Sequence, residues 1–170
     1  MIKYNINESF FKEWSYPMAY TLGFWYADGN MNSLDKTQGK RISFSSQDKD
    51  ILIKIRELMK SNHPIYKDSK WNCYNLIISR KQLWDDIFKL GGRPAKSLVN
   101  KFPVIPNRYK STFIRGYFDG DGSIYLSKTN YPTVCFTGCK LFLSAISKYF
   151  SNIQNSLTKK SNSPIYDCVG

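Results

Sequence analysis

Two carboxylates, Asp28 and Asp121, are the side chains through which this sequence could do chemistry. Each is followed by glycine, and each closes the same arrangement of residues. The shift that carries Asp28 to Asp121, 93 positions, also carries Gly23 to Gly116, Phe24 to Tyr117, Ala27 to Gly120 and Gly29 to Gly122. Two acids brought together repel, and a divalent cation between them removes that penalty. Carboxylate oxygens are hard ligands of the kind Mg²⁺ takes. One Asp-Gly alone would be a turn; two in register point to a site, with Asp28 and Asp121 as metal ligands and catalytic groups.

The elements that must position these acids are helices. Small residues recur at every fourth position before each acid: Ala19, Gly23 and Ala27 in the first copy, Thr112, Gly116 and Gly120 in the second. That spacing places them on one helical face, where a second backbone can approach closely. The sequence therefore predicts two like helices packed through these six residues. Gly29 and Gly122 are expected to end them in the left-handed conformation. An aspartate at such an end faces the negative pole of the helix, a further reason to expect a cation.

The segments Thr21-Leu22-Gly23-Phe24-Trp25-Tyr26-Ala27-Asp28-Gly29 and Ile114-Arg115-Gly116-Tyr117-Phe118-Asp119-Gly120-Asp121-Gly122 resemble the motif of the LAGLIDADG homing endonucleases. The second copy is the better match. The first departs at its sixth position, where Tyr26 stands in place of the usual aspartate, a residue that supports the helix pair. The resemblance runs from about Pro17 to the end of the chain. It implies an α+β fold of two αββαββα repeats packed through the motif helices, with a saddle-shaped antiparallel sheet for DNA. It also implies Mg²⁺-dependent double-strand cleavage of a long asymmetric site by a monomer. In the family, further polar groups surround the acids, and Gln47 and Lys81 are the candidates by position. Cys139 stands opposite Gln47, so the two halves would not be equivalent.

The bulk composition agrees with a folded nucleic-acid binder. The 170 residues are 42% hydrophobic and 16% aromatic, enough for a core. The net charge is +12, shared equally by residues 1–100 and 101–170, which suits a polyanionic partner. No apolar run is long enough to span a membrane, and Met1-Ile2-Lys3-Tyr4-Asn5 has no signal-peptide pattern. The expected location is the cytoplasm, near the nucleoid, or an organellar matrix, without secretion. Cys73, Cys135, Cys139 and Cys168 form no C-x-x-C pair and read as reduced thiols. The single histidine, His63, precedes a proline and reads as structural; one histidine excludes sites built on several. No phosphate-binding glycine loop of the G-x-x-x-x-G-K-[ST] type is present.

Along the chain, strands are expected over 30–35, 41–45, 64–67 and 73–79, and helices over 48–60, capped by Ser46, and 81–90, stopped by Gly91-Gly92. The second unit repeats the order with strands 123–127 and 133–137 and a helix over 140–150. Residues 1–92 form the first repeat, 93–107 a proline-bearing linker, and 108–170 the second. Outward strand residues expected to read DNA are Arg41, Ser43, Ser45, Lys67, Asn75, Ser123, Tyr125, Ser127 and Thr133. Lys36, Lys40, Lys70, Lys128 and Lys140 are expected at phosphates.

The likeness of Asn62-His63-Pro64-Ile65-Tyr66 to Asn162-Ser163-Pro164-Ile165-Tyr166 suggests a shift of 100 late in the repeat. On that alignment the second unit lacks its last strand and helix, as in a shortened or decayed copy or a piece of a longer enzyme. Alternative readings are an RNA-binding intron maturase, with intron RNA as partner, and a DNA-binding protein of this fold that has lost catalysis.

Overall fold

The computed structural model describes residues 4–32, 39–95, 101–128, 130–152, 155–160 and 164–169. The first unit runs α1 (Tyr16–Asp28), β1 (Gly29–Met31), β2 (Ile42–Ser46), α2 (Lys49–Leu58), β3 (Ile65–Asp68), β4 (Cys73–Ile78) and α3 (Lys81–Lys89). The second runs α4 (Asn107–Asp121), β5 (Gly122–Leu126), β6 (Pro132–Cys139), α5 (Lys140–Tyr149), β7 (Ser156–Lys159) and β8 (Ile165–Val169). Each unit builds one antiparallel four-stranded sheet, in the orders β1-β2-β4-β3 and β5-β6-β8-β7.

Helix α1 begins where Ser15 accepts a hydrogen bond from the Met18 amide and Pro17 sits in the first turn. Residues 18–26 are all buried, so α1 is enclosed on every side, as expected of a central helix. It packs along α4, and the small residues set how closely. A Cβ added at Gly23 would lie 2.0 Å from the Phe113 carbonyl oxygen, and one at Gly116 would lie 2.0 Å from that of Tyr20. Only glycine permits these approaches, and the matched distances express the repeat in three dimensions.

The α1–α4 pair is tied at its flanks by tyrosines. The Tyr20 hydroxyl donates to Asp119 at 2.6 Å, and the Tyr109 hydroxyl donates to the Trp14 carbonyl at 2.8 Å. Tyr26, which replaces the motif's usual aspartate, donates instead to the Leu90 carbonyl at the end of α3, 2.9 Å away. The substitution thus places the polar bond at the junction with α3, while the Tyr26 ring still meets Phe113 of α4 with centroids 5.5 Å apart.

Gly29 and Gly122 do not take the left-handed conformation. Their φ,ψ values are −91°, 161° and −98°, 159°, and each starts a strand. They are required for space: a Cβ would meet the Trp25 ring at 2.2 Å and the Phe118 ring at 2.1 Å. Among the described residues Gly91 is the glycine with positive φ, at +98°, and it ends α3 as expected. Helix α2 is capped by Asp48, which accepts from the Asp50 amide, and not by Ser46, which accepts from the Asp48 amide at the end of β2.

Strand register corrects the alignment of the second unit. Leu76 pairs with Phe44 and Ile65, while Cys168 pairs with Phe136 and Leu157. The shift is 93 from β1 to β5 and 92 for the other three strands, so Ile165-Tyr166 corresponds to Cys73-Tyr74, not to Ile65-Tyr66. The likeness of the two Pro-Ile-Tyr segments was local. The last strand expected to be missing is present as β8; among the described residues, the second unit has no counterpart of α3.

That difference leaves a mark on burial. In the first unit Met31 and Ile42 are 2% and 0% exposed, in the same core cluster as Leu83, Trp84 and Ile87 of α3. Their counterparts Ile124 and Val134 are 68% and 37% exposed. The main core fills the space between the sheets and the helices and includes Phe113, Tyr117 and Phe142, with the partly buried Phe102 packed against the Phe113 and Phe142 rings.

Candidate active site

Asp28 and Asp121 are the last residues of α1 and α4, so the pairing of the helices brings both acids to one place. They line a cavity of about 240 Å³ with Tyr26, Ala27, Tyr117, Thr137, Gly138, Cys139, Phe142 and Ile165. Both acids are half-buried. Gly120 makes the juncture possible: a Cβ there would stand 2.5 Å from the Ala27 methyl carbon and 3.3 Å from Asp28 Oδ2. Any side chain at this position would occupy the ground beside the carboxylate.

Tyr117 forms one wall. Its hydroxyl donates to the Thr137 carbonyl at 2.7 Å. Burial pushes its pKa far up, and the charges of Asp121 and Asp28 reinforce the effect. It stays protonated and holds β6 against α4. Gly138 leaves room for it, since a Cβ there would lie 2.4 Å from the Tyr117 hydroxyl.

The donor set fits a hard divalent cation. Two carboxylates supply anionic oxygens, and among the described residues no group of three His, Cys, Asp or Glu side chains forms a closed cage. Mg²⁺ and similar ions are commonly held by one or two carboxylates, with water and substrate phosphates as the remaining ligands. Held by Asp28 and Asp121, such an ion would supply positive charge to stabilise a phosphate oxygen and make a bound water more acidic.

The other expected site residues divide. Gln47 is exposed just past β2, at the position equivalent to Cys139, and does not line this cavity. Lys81 is on α3, 80% exposed and paired with Asp85 at 3.4 Å, so the structure does not bring it to the acids. Lys40 is turned inward as well: it pairs with Asp85 and lies 4.5 Å from the centre of the Trp84 ring. The Lys40 hydrogen bond holds the Asp85 carboxyl below its usual range.

On the sheet faces away from the helices stand Ser43, Ser45 and Asn75 in the first unit and Ser123, Tyr125 and Thr133 in the second, as their register with outward neighbours requires. Arg41 and Ser127 extend those outward rows. Lys67 pairs with Tyr74 and falls on the helix-side face, because outward positions in β3 belong to Tyr66 and Asp68. Lys70 is exposed at the β3–β4 turn beside Trp71; Lys128 and Lys140 are also exposed. Lys36 lies outside the described residues. Sequence reasoning did not single out Tyr117 and Thr137 as cavity walls; the hydroxyl-to-carbonyl bond that places them joins elements whose pairing no local pattern reveals.

Residues 108–166 match the family model described as a LAGLIDADG-like domain. No curated protein matches the chain. Among solved structures, a variant of I-DmoI in complex with its target DNA in the presence of manganese is similar, with a TM-score of 0.68 at 19% identity over 96% of this chain and 87% of that one. Meganuclease I-SmaMI bound to uncleavable DNA gives 0.62 at 14% identity, over 91% and 78%. The I-LtrWI LAGLIDADG homing endonuclease bound to target DNA gives 0.57 at 12%, also over 91% and 78%. The paired motif helices, the two four-stranded sheets and the matched segment agree: this chain has the fold of the single-chain LAGLIDADG homing endonucleases and carries a LAGLIDADG-like domain over residues 108–166.

Proposed function

We propose that this protein is a site-specific DNA endonuclease that makes metal-dependent double-strand breaks at a long asymmetric site. The observation that carries the reading is the meeting of Asp28 and Asp121 in one cavity, each contributed by one of two related units. Neighbours of the same fold were solved with target DNA and with manganese or magnesium, which supports a duplex partner and a divalent ion.

Asp28 and Asp121 would hold the ion and orient water for attack on a phosphate; Tyr117 would keep the floor of the site in place. Two related sheets with different outward side chains suit a site whose halves differ, and one chain supplies both, so the protein acts as a monomer. Mg²⁺ is the ion we assign. The net charge of +12 supplies affinity through phosphate contacts, so binding should weaken steeply as salt rises. The work place is that of the DNA, the cytoplasmic nucleoid or an organellar matrix, with an intron as host gene. Among the described residues no helix is long and apolar enough to cross a membrane.

The test is selection of cleaved duplexes from a randomised library in Mg²⁺. One enriched long sequence cut on both strands supports the reading. A bound but uncut sequence favours a DNA-binding protein, and neither binding nor cleavage of any duplex removes the nuclease assignment.

A further inference from the structure

Equivalent rows of the two sheets carry different chemistry. In the first, Ser45 and Asn75 face each other across β2 and β4, and the Ser45 hydroxyl donates to Asn75 Oδ1 at 2.6 Å. In the second, Thr137 and Asp167 hold the same positions across β6 and β8, and the Thr137 hydroxyl donates to Asp167 Oδ1 at 2.8 Å. Both rows lie on the face away from the helices, since the neighbouring pairs Phe44–Leu76 and Phe136–Cys168 are buried. Lys160 adds a second brace to Asp167 at 3.3 Å and has Asp68 as its counterpart in the first unit.

An acid on a surface meant for a polyanion is costly beside phosphate and favourable only where it meets a hydrogen-bond donor. In the major groove the donors are the amino groups of cytosine and adenine. Adenine sets an acceptor, N7, beside its amino group, and a carboxylate's second oxygen would face it; cytosine presents the donor alone. An asparagine offers one donor and one acceptor and matches adenine. We infer that Asp167 is a specificity-determining residue that reads cytosine in one half-site, at the position equivalent to the one where Asn75 reads adenine in the other. This rests on the DNA-binding reading above.

The experiment is selection from a randomised duplex library with the full chain and the isosteric variants Asp167→Asn and Asn75→Asp, in Ca²⁺ to retain bound product. The wild-type chain should enrich cytosine in one column and adenine in its counterpart. Asp167→Asn should convert the cytosine column to adenine, with about a tenfold loss for the original base, and leave the other half-site unchanged. Asn75→Asp should make the reciprocal change, a shift that a merely structural role would not produce. Unchanged columns in both variants, or a uniform loss across all columns, would overturn the assignment. A wild-type chain that enriches nothing would overturn the DNA-binding reading and this inference with it.

Discussion

His63 shows how a residue's environment decides its role. It is the one histidine, buried against the Tyr4 ring, with Nδ1 at 2.8 Å from the Ser61 hydroxyl. Burial lowers its pKa from the ordinary 6.5, and Arg80 adds to the effect. The unfolded chain therefore binds a proton more readily than the folded one. The contribution of His63 to stability should be fully present above pH 6.5 and decline as the pH falls through that value toward the folded pKa. An NMR titration of this single imidazole should give a midpoint below 6.5, and a midpoint at or above it would contradict the packing described. The sequence pointed to a structural role because His63 precedes a proline in a short connection between a helix and a strand, away from the paired acids. The legibility of Asp28 and Asp121 had another source, their recurrence in matched surroundings. Position along the chain does not reveal that Asp85 engages both Lys81 and Lys40.

At the scale of elements, the spacing of small residues is enough to disclose the helix pair. Gly23 and Gly116 each face backbone, which cannot give way as a flexible side chain can. Gly23→Ala and Gly116→Ala should each destabilise the protein by ~1–3 kcal/mol, and thermal melts should show a drop of several degrees. Unchanged melting temperatures would mean the helices are farther apart than described. Tyr26→Phe should cost about 1 kcal/mol through loss of the bond to the Leu90 carbonyl, and the same melts check it. The sequence was less informative about strands. Ile165-Tyr166 reads as a strand in either alignment, and only its pairing with Gly138 and Cys139 identifies it as the counterpart of β4. Likewise Gly29 and Gly122 announced their need for glycine, but the reason, a ring lying against each, depends on how Trp25 and Phe118 turn.

The whole molecule is a doubled unit whose halves differ most where α3 covers Met31 and Ile42 in one sheet, while no described helix covers their counterparts Ile124 and Val134 in the other. Ile124, Leu126 and Val134 form an exposed apolar stretch on the second sheet. The chain should therefore self-associate at raised concentration, and Ile124→Thr with Val134→Thr should shift sedimentation toward monomer; an unchanged distribution would show that this face is not sticky. The doubling also carries the central claim, that two units jointly build one cleavage centre. The most direct measurement is cleavage of a selected duplex in Mg²⁺ by the wild-type chain, Asp28→Asn and Asp121→Asn, with binding measured on the same DNA. Each variant should bind about as well as the wild type yet fail to break both strands. A variant that still cuts both strands at near the wild-type rate would contradict the shared centre.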